Sequence, residues 1–310
     1  MEVNDVLIIG AGPAGLTAAV YAQRYGLKSV VLEKFYPGGL AATADRIENI
    51  PGIPEAVRGM EWMQKLQKQA ENFGTSLETG QVVQSVEKVS NIIHVKTDEK
   101  TFACRALIIA TGSEHKHLGI PGENKLRGRG VSTCATCDAM FFRGKDVAVI
   151  GGGNTALQEA LVLANVVQKV YIVHRRTEFR GEHALVKSLE ALSNVEFILP
   201  YIPKSIEGTD AVEKLILENV QDARQRTLDV AAVFICVGFI PHSKPFQEVI
   251  SCTKEGYILV NTCQETSVPG VYAAGDVTDS PLKQIVTAAA DGAKAAFQGY
   301  QYIQKQKTSN

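Results

Sequence analysis

Long apolar runs are missing from this 310-residue chain. The longest holds AAVFICV (231–237), well short of the ~20 residues a membrane-spanning helix needs, and reads as a buried strand. Excess charge is missing as well: 32 Lys and Arg stand against 33 Asp and Glu, a net charge of −1, so no general field draws the chain to nucleic acid or to an acidic membrane. The opening residues MEVNDVLIIG carry no basic segment, no long apolar stretch and no cleavage pattern, which sets the expectation of a cytosolic protein without a secretion signal. Cysteine is sparse, six residues in all, and only Cys134 and Cys137 are close neighbours, which argues against a disulfide framework in a reducing compartment. No second C-x-x-C and no H-x(3–5)-H completes a tetrahedral zinc set, so no metal site is expected. Cys104 and Cys236 lie in strand-like segments and read as small core hydrophobes, while Cys252 and Cys263 stand apart.

What is present suits a globular protein of about two domains: 45% hydrophobic residues, 27 Gly and 11 Pro. An internal repeat organises it. VLIIGAGPAG (6–15) is an apolar strand followed by Gly10-x-Gly12-x-x-Gly15, with Pro13 and Ala14 completing the loop and a helix expected to about Tyr25. This is a dinucleotide fingerprint in its proper setting. Gly10 permits the turn, Gly12 lets backbone amides approach a pyrophosphate, Gly15 allows helix and strand to pack closely, and the helix N-terminus adds positive potential. The next strand, SVVLE, ends at Glu33, where a carboxylate can accept from an adenosine ribose.

The module returns at VAVIGGGNTA (147–156), with Gly151, Gly153 and Ala156 in the three fingerprint places and Asn154 and Thr155 between. The same number of residues separates Gly10 from Gly151 as Glu33 from His174. In place of the acid, the second strand runs into His174, Arg175, Arg176 and, four residues on, Arg180. Guanidiniums there accommodate a 2′-phosphate through bidentate hydrogen bonds, so the first module suits FAD and the second NADPH. Near the C-terminus, GVYAAGD (270–276) is a short strand ending at Asp276, which can accept from ribitol hydroxyls. A helix is expected behind it with Pro281 near its start, its N-terminus aimed at the flavin. The flavin module therefore begins at one end of the chain and finishes at the other, with the second module inserted and candidate crossings at residues 113–125 and 238–245. The fold class expected is α/β, two Rossmann-like dinucleotide-binding domains.

STCATCDAM (132–140) precedes the second module's first strand. Taken alone, its cysteines suit a zinc half-site, a chance core pair or a redox dithiol. Beside two dinucleotide sites, and with a helix start to lower one thiol's pKa, the dithiol reading prevails. Through GAGPAG, ENIPG, ATG, GRGVSTCATCD, GGGNTA, HRRxxFR and GVYAAGD, the chain resembles the low-molecular-weight thioredoxin reductases over essentially its whole length. The resemblance implies a homodimer, an FAD domain of residues 1–114 and 244–310, an inserted NADPH domain of residues 115–243 that swivels, and electron flow from NADPH to FAD to the Cys134–Cys137 disulfide to thioredoxin. It places Cys137 toward the flavin, gives Cys134 the attack on the partner disulfide and makes Asp138 the proton donor or acceptor. It assigns Gly38, Gly39, Asn49, Val82, Gly275, Asp276, Lys283, Gln284 and Ile285 to the flavin site, and Arg129, Met140 and Phe141 to thioredoxin docking. The chain departs from the family's usual pattern at Leu40 (usually Gln), Ala139 (Gly), Lys283 (Arg) and Met140 (an aromatic). Disulfide reductases with C-x(4)-C after the first fingerprint are excluded, since residues 34–50 hold no cysteine. A reductase of another disulfide partner, and a flavin-binding redox sensor without turnover, are the other readings.

Overall fold

Val6, Leu7 and Ile8 are fully buried in succession, as in a parallel strand covered on both faces. This strand, β1 (Val3–Ile9), turns through the glycine loop into α1 (Pro13–Arg24), where Pro13 occupies the first helical turn and its missing N–H costs no bond. The computed structural model describes residues 2–44 and 47–308. They fall into two compact units, 1–114 with 240–310, and 115–239.

In the first unit, β1 and α1 are followed by β2 (Ser29–Glu33), α2 (Gly59–Asn72), β3 (Ser76–Thr79), β4 (Val83–Val89), β5 (Ile92–Thr97) and β6 (Thr101–Ile109). The sheet order is β3-β2-β1-β6-β5-β4; the first four strands run parallel, and β5 and β4 fold back antiparallel. The chain leaves through β7 (Ser113–His115).

The second unit contains β8 (Val131–Ser132), α3 (Ala135–Asp138), β9 (Asp146–Ile150), α4 (Asn154–Ala164), β10 (Lys169–Val173), α5 (His183–Glu190), β11 (Val195–Ile198), β12 (Tyr201–Glu207), β13 (Lys214–Asn219), β14 (Gln225–Asp229) and β15 (Ala232–Ile235). Five of its strands form a parallel sheet, β11-β10-β9-β15-β8, and β12-β13-β14 form an antiparallel one. The chain returns through β16 (Phe239–Pro241), which pairs with β7. It then adds β17 (Val271–Ala273) beside β6 and ends in α6 (Ile285–Thr308).

Alternation along the central strands builds two cores per unit. In the first, Val6, Ile8, Ala106 and Ile108 face the helical layer with Leu16 of α1 and Ile303 of α6, while Leu7, Ile9, Leu107 and Ile109 face Phe246, Ile250 and Ile258. In the second, Val147 and Val149 face Leu157 and Leu163 of α4, and Ala148 and Ile150 face Leu215, Leu217 and Leu228. The repeat read from the sequence is also a repeat in register. Gly10 N–H donates to Leu32 C=O at 2.8 Å and Gly151 N–H to Val173 C=O at 3.0 Å; Ala110 N–H reaches Ile9 C=O and Cys236 N–H reaches Ile150 C=O, both at 2.8 Å.

One boundary differs from expectation. The last helix begins at Ile285, not near Pro281. Thr287 Oγ1 accepts from Gln284 N–H at 3.2 Å, and Gln284 C=O accepts the helical bond from Ala288 at 3.0 Å, so Gln284 caps the helix and residues 281–284 lie outside it. Among the described residues, no helix is long and apolar enough to cross a membrane.

Candidate functional site

Both glycine loops sit where the parallel strand order reverses, β1 between β2 and β6, and β9 between β10 and β15. In open parallel sheets dinucleotides bind beyond the strand ends at such a point. The turn residue needs glycine in each: a Cβ on Gly10 would lie 2.4 Å from Ala110 C=O, and one on Gly151 would lie 2.4 Å from Cys236 C=O. The middle glycines are the reverse. Nothing lies within 4 Å of where a Cβ on Gly12 or Gly153 would stand, so the backbone there is open to an approaching pyrophosphate. At the third position Gly15 is pressed on Gly10 C=O, whereas Ala156 fits, buried beneath Gly151.

In the first unit Glu33 accepts from Ala11 N–H through Oε2 at 2.8 Å and from Phe35 N–H through Oε1 at 3.0 Å. The acid expected at a ribose therefore also fastens the glycine loop, using one lone pair of each oxygen. Gly38 N–H donates to Ala11 C=O at 2.8 Å, and a Cβ on Gly39 would lie 3.4 Å from Gly12 Cα, so Gly38 and Gly39 flank the same loop. From the C-terminal segment, a Cβ on Gly275 would meet Ala14 Cβ at 3.0 Å, which brings Asp276 beside the loop. Burial pushes the Asp276 carboxyl up, Lys283 opposes this and Asp291 adds to it. Asn49 Nδ2 donates to Gln284 Oε1 at 2.9 Å, next to Ile285 at the start of α6. Open backbone at Gly12, a partly buried acid at Asp276 and an amide pair at Asn49 and Gln284 make a donor and acceptor set that fits FAD.

Two of the residues expected at the flavin also make contacts within the protein. Lys283 Nζ donates to the carbonyls of Asp276 at 2.9 Å and Thr278 at 3.2 Å and lies 4.3 Å from the Tyr257 ring centre, so it braces the turn that presents Asp276. Val82 exchanges backbone hydrogen bonds with Asp98, receiving at its C=O from Asp98 N–H and donating to Asp98 Oδ1, both at 3.1 Å.

In the second unit Asn154 holds the segment after the arginines: its Nδ2 donates to Glu182 Oε1 at 2.9 Å and its Oδ1 accepts from Glu182 N–H at 2.7 Å. Thr155 is exposed beside it. Arg175, Arg176 and Arg180 are exposed, and among the described residues no carboxylate pairs with any of them. His174 is 7% exposed, stacked on Phe179 at 5.5 Å and pressed against Gly152, with Nε2 lacking a hydrogen-bond partner among the described residues. Burial first, then the charges of Arg180, Arg175 and Arg176, holds its ring below the usual imidazole value. Three uncompensated guanidiniums beside an open glycine loop suit a phosphorylated dinucleotide.

Cys134 and Cys137 form a disulfide, Cα to Cα 5.4 Å, across the first turn of α3, with Cys134 at the N-cap. Bonded to each other, the two sulfurs offer no thiolate in this state. Cys134 is half-buried and Cys137 exposed. Ser132 Oγ donates to Asp138 Oδ2 at 2.6 Å and accepts from Cys134 N–H at 3.1 Å, tying the acid to the disulfide's own backbone. Ala139 is buried, so the side chain that replaces the family's glycine packs inward; Met140 and Phe141 stand 56% and 51% exposed, and Arg129 is exposed with its guanidinium on Lys125 C=O. Cys104 and Cys236 are buried, the Cys104 thiol pushed by burial to about 12, so neither offers a thiolate. Sequence reasoning missed two residues here. Ser132 is legible only in its nearness to the cysteines, and Glu159, whose carboxylate reaches Ala135 N–H and Thr136 Oγ1, leaves no local signal because α4 delivers it from beyond a whole strand.

A profile of the family described as pyridine nucleotide-disulphide oxidoreductase matches residues 4–292. The chain is 41% identical to a thioredoxin reductase of Helicobacter pylori over 307 residues, covering 97% of this chain and 99% of that protein. It is 39% identical to a thioredoxin reductase of Bacillus subtilis over 305 residues, covering 98% and 96%. The crystal structure of thioredoxin reductase from Streptococcus pyogenes MGAS5005 superposes with a TM-score of 0.91 at 37% identity, covering 98% of this chain and 99% of that one. With both glycine loops, the inserted second unit and the Cys134–Cys137 disulfide in place, the chain belongs to the pyridine nucleotide-disulphide oxidoreductase family, among its low-molecular-weight thioredoxin reductases.

Proposed function

We propose that residues 1–114 and 240–310 hold FAD, residues 115–239 hold NADPH in preference to NADH, and the Cys134–Cys137 disulfide is where electrons leave for thioredoxin. The observation that carries this reading is the disulfide itself, formed across the start of α3 with an acid fastened to it through Ser132. FAD, when bound there, would supply two-electron transfer between the pyridine nucleotide and that disulfide. Gly10, Gly12 and Gly15, with Glu33, Gly38, Gly39, Asn49, Asp276 and Gln284, bind and orient the flavin nucleotide; Gly151, Gly153, Arg175, Arg176 and Arg180 bind the other.

In the dithiol state Cys134, as thiolate, attacks one sulfur of the partner disulfide; the partner's S–S bond breaks and a mixed disulfide forms. Cys137 then attacks Cys134 Sγ, releasing the partner's second thiol and restoring the Cys134–Cys137 bond. Asp138 takes and returns the proton, held at its station by the Ser132 bond. Arg129, Met140 and Phe141 offer thioredoxin a mixed apolar and basic surface beside this site.

The purified protein is expected to be yellow, with about one FAD per chain, and to couple NADPH oxidation to reduction of a disulfide dye and of thioredoxin. A colourless, folded protein that takes up no flavin would overturn the reading. The family likeness extends it to a cytosolic homodimer, which light scattering registers as twice the chain mass.

A further inference from the structure

Glu159 is a charge at the dithiol that the electron path does not use. It projects from α4, and its carboxylate accepts from Ala135 N–H through Oε2 and from Thr136 Oγ1 through Oε1 at 3.4 Å. Ala135 and Thr136 are the two residues between the cysteines. A single carboxylate thus grips the span that must stay in place while the S–S bond opens and closes. Its grip also has a sign. The N–H groups that begin α3 are the donors a Cys134 thiolate would draw on, and one of them already serves an anion.

We propose that Glu159 is a positioning residue that sets the redox poise of the dithiol, its negative charge opposing ionisation of Cys134 and so keeping the Cys134–Cys137 pair a stronger reductant. Burial pushes the Glu159 carboxyl up, while the bonds from Ala135 and Thr136 hold it down and Asp138 pushes it up again. The groups that act on it or feel it are Asp138 on α3 and the Cys236 thiol at the end of β15. With the carboxylate ionised, loss of a proton from Cys134 places a second negative charge beside the first. At the solvent-like dielectric of about 80 that suits a dithiol with Cys137 exposed, a unit charge about 4 Å away contributes about 1 kcal/mol, on the order of one pKa unit.

The inference rests on the reading of Cys134 and Cys137 as the redox couple, and one titration separates the two. The flavin-loaded protein is equilibrated with dithiothreitol at graded ratios. Each reagent molecule loses two thiol hydrogens and closes into its cyclic disulfide, while the Cys134–Cys137 bond opens and takes them up. Iodoacetamide then traps the open form, and mass spectrometry counts it. Glu159→Gln keeps an oxygen for Ala135 N–H and removes the charge. Its equilibrium constant for opening is expected to rise up to about tenfold, or about 30 mV, once the pH exceeds the ~8.5 of a free thiol, and to match the parent well below that pH, where Cys134 is protonated in both. The alkylation rate of Cys134 should shift to lower pH in step. Glu159→Asp, which keeps the charge, should stay near the parent. A parent pair that dithiothreitol cannot open defeats the redox reading. A parent pair that cycles, with a Glu159→Gln constant equal to it at high pH or displaced equally at all pH values, defeats the role of Glu159 alone.

Discussion

Replacing Cys134 or Cys137 by serine is expected to abolish reduction of thioredoxin while NADPH still bleaches the bound flavin. The two effects separate because the cysteines lie at the start of α3, outside both glycine loops, and neither sulfur braces a core: Cys137 is exposed and Cys134 half-buried. Serine keeps the size of the side chain but not the chemistry. An alkoxide is not available near neutral pH, and no S–S bond can form or break. Stopped-flow absorbance of the flavin, followed by a thioredoxin turnover assay on the same sample, reads both halves. Turnover near the parent rate in either variant would make the disulfide structural. Asp138→Asn belongs to the same experiment. The amide can still accept from Ser132 Oγ but cannot hold a proton, so thiol exchange should slow on the order of 10²-fold, with a changed pH profile, while flavin bleaching stays unaltered. An unchanged rate and profile would remove Asp138 from the proton path.

Loss of Arg175 and Arg176 together should raise the KM for NADPH on the order of 10²- to 10³-fold and leave NADH nearly untouched. The two cofactors differ only in the 2′-phosphate, far from the nicotinamide, so contacts to it supply binding common to ground and transition states and kcat should change little. Each charge-assisted hydrogen bond contributes roughly 1.5 to 3 kcal/mol, and exposure of both guanidiniums sets the lower part of the range for the pair. Neither arginine has a carboxylate partner among the described salt bridges, so their removal strands no buried charge. Steady-state kinetics of Arg175→Ala/Arg176→Ala with both cofactors give the ratio. Equal losses for NADPH and NADH would reassign the arginines to the fold; no loss for either would move the phosphate site toward Arg180.

The sequence by itself determined the repeated strand, glycine loop and helix, because each glycine answers a local need that any reader of the chain can name. The open backbone at Gly12 and Gly153 is a consequence of a few adjacent residues, although the close approach of Gly10 to Ala110 and of Gly151 to Cys236 comes from strands distant in the chain. It also determined the dithiol, since C-x-x-C brings two sulfurs within bonding reach across one helical turn. The roles of single side chains were settled elsewhere. Lys283 reads as a flavin contact, and its ammonium also braces the carbonyls of Asp276 and Thr278, a position reached only because residues 281–284 stay outside α6. His174 stands in the ribose-acid place of the repeat but is driven inside against Phe179 and Gly152, because its strand end is overlaid by the loop that carries the arginines. Glu159 meets the residues between the cysteines only because α4 packs beside α3. Turn geometry and strand periodicity are decided within a few residues of chain; which polar group a lysine, histidine or glutamate finally touches depends on what packing brings to it from elsewhere, and that is a property of the tertiary structure alone.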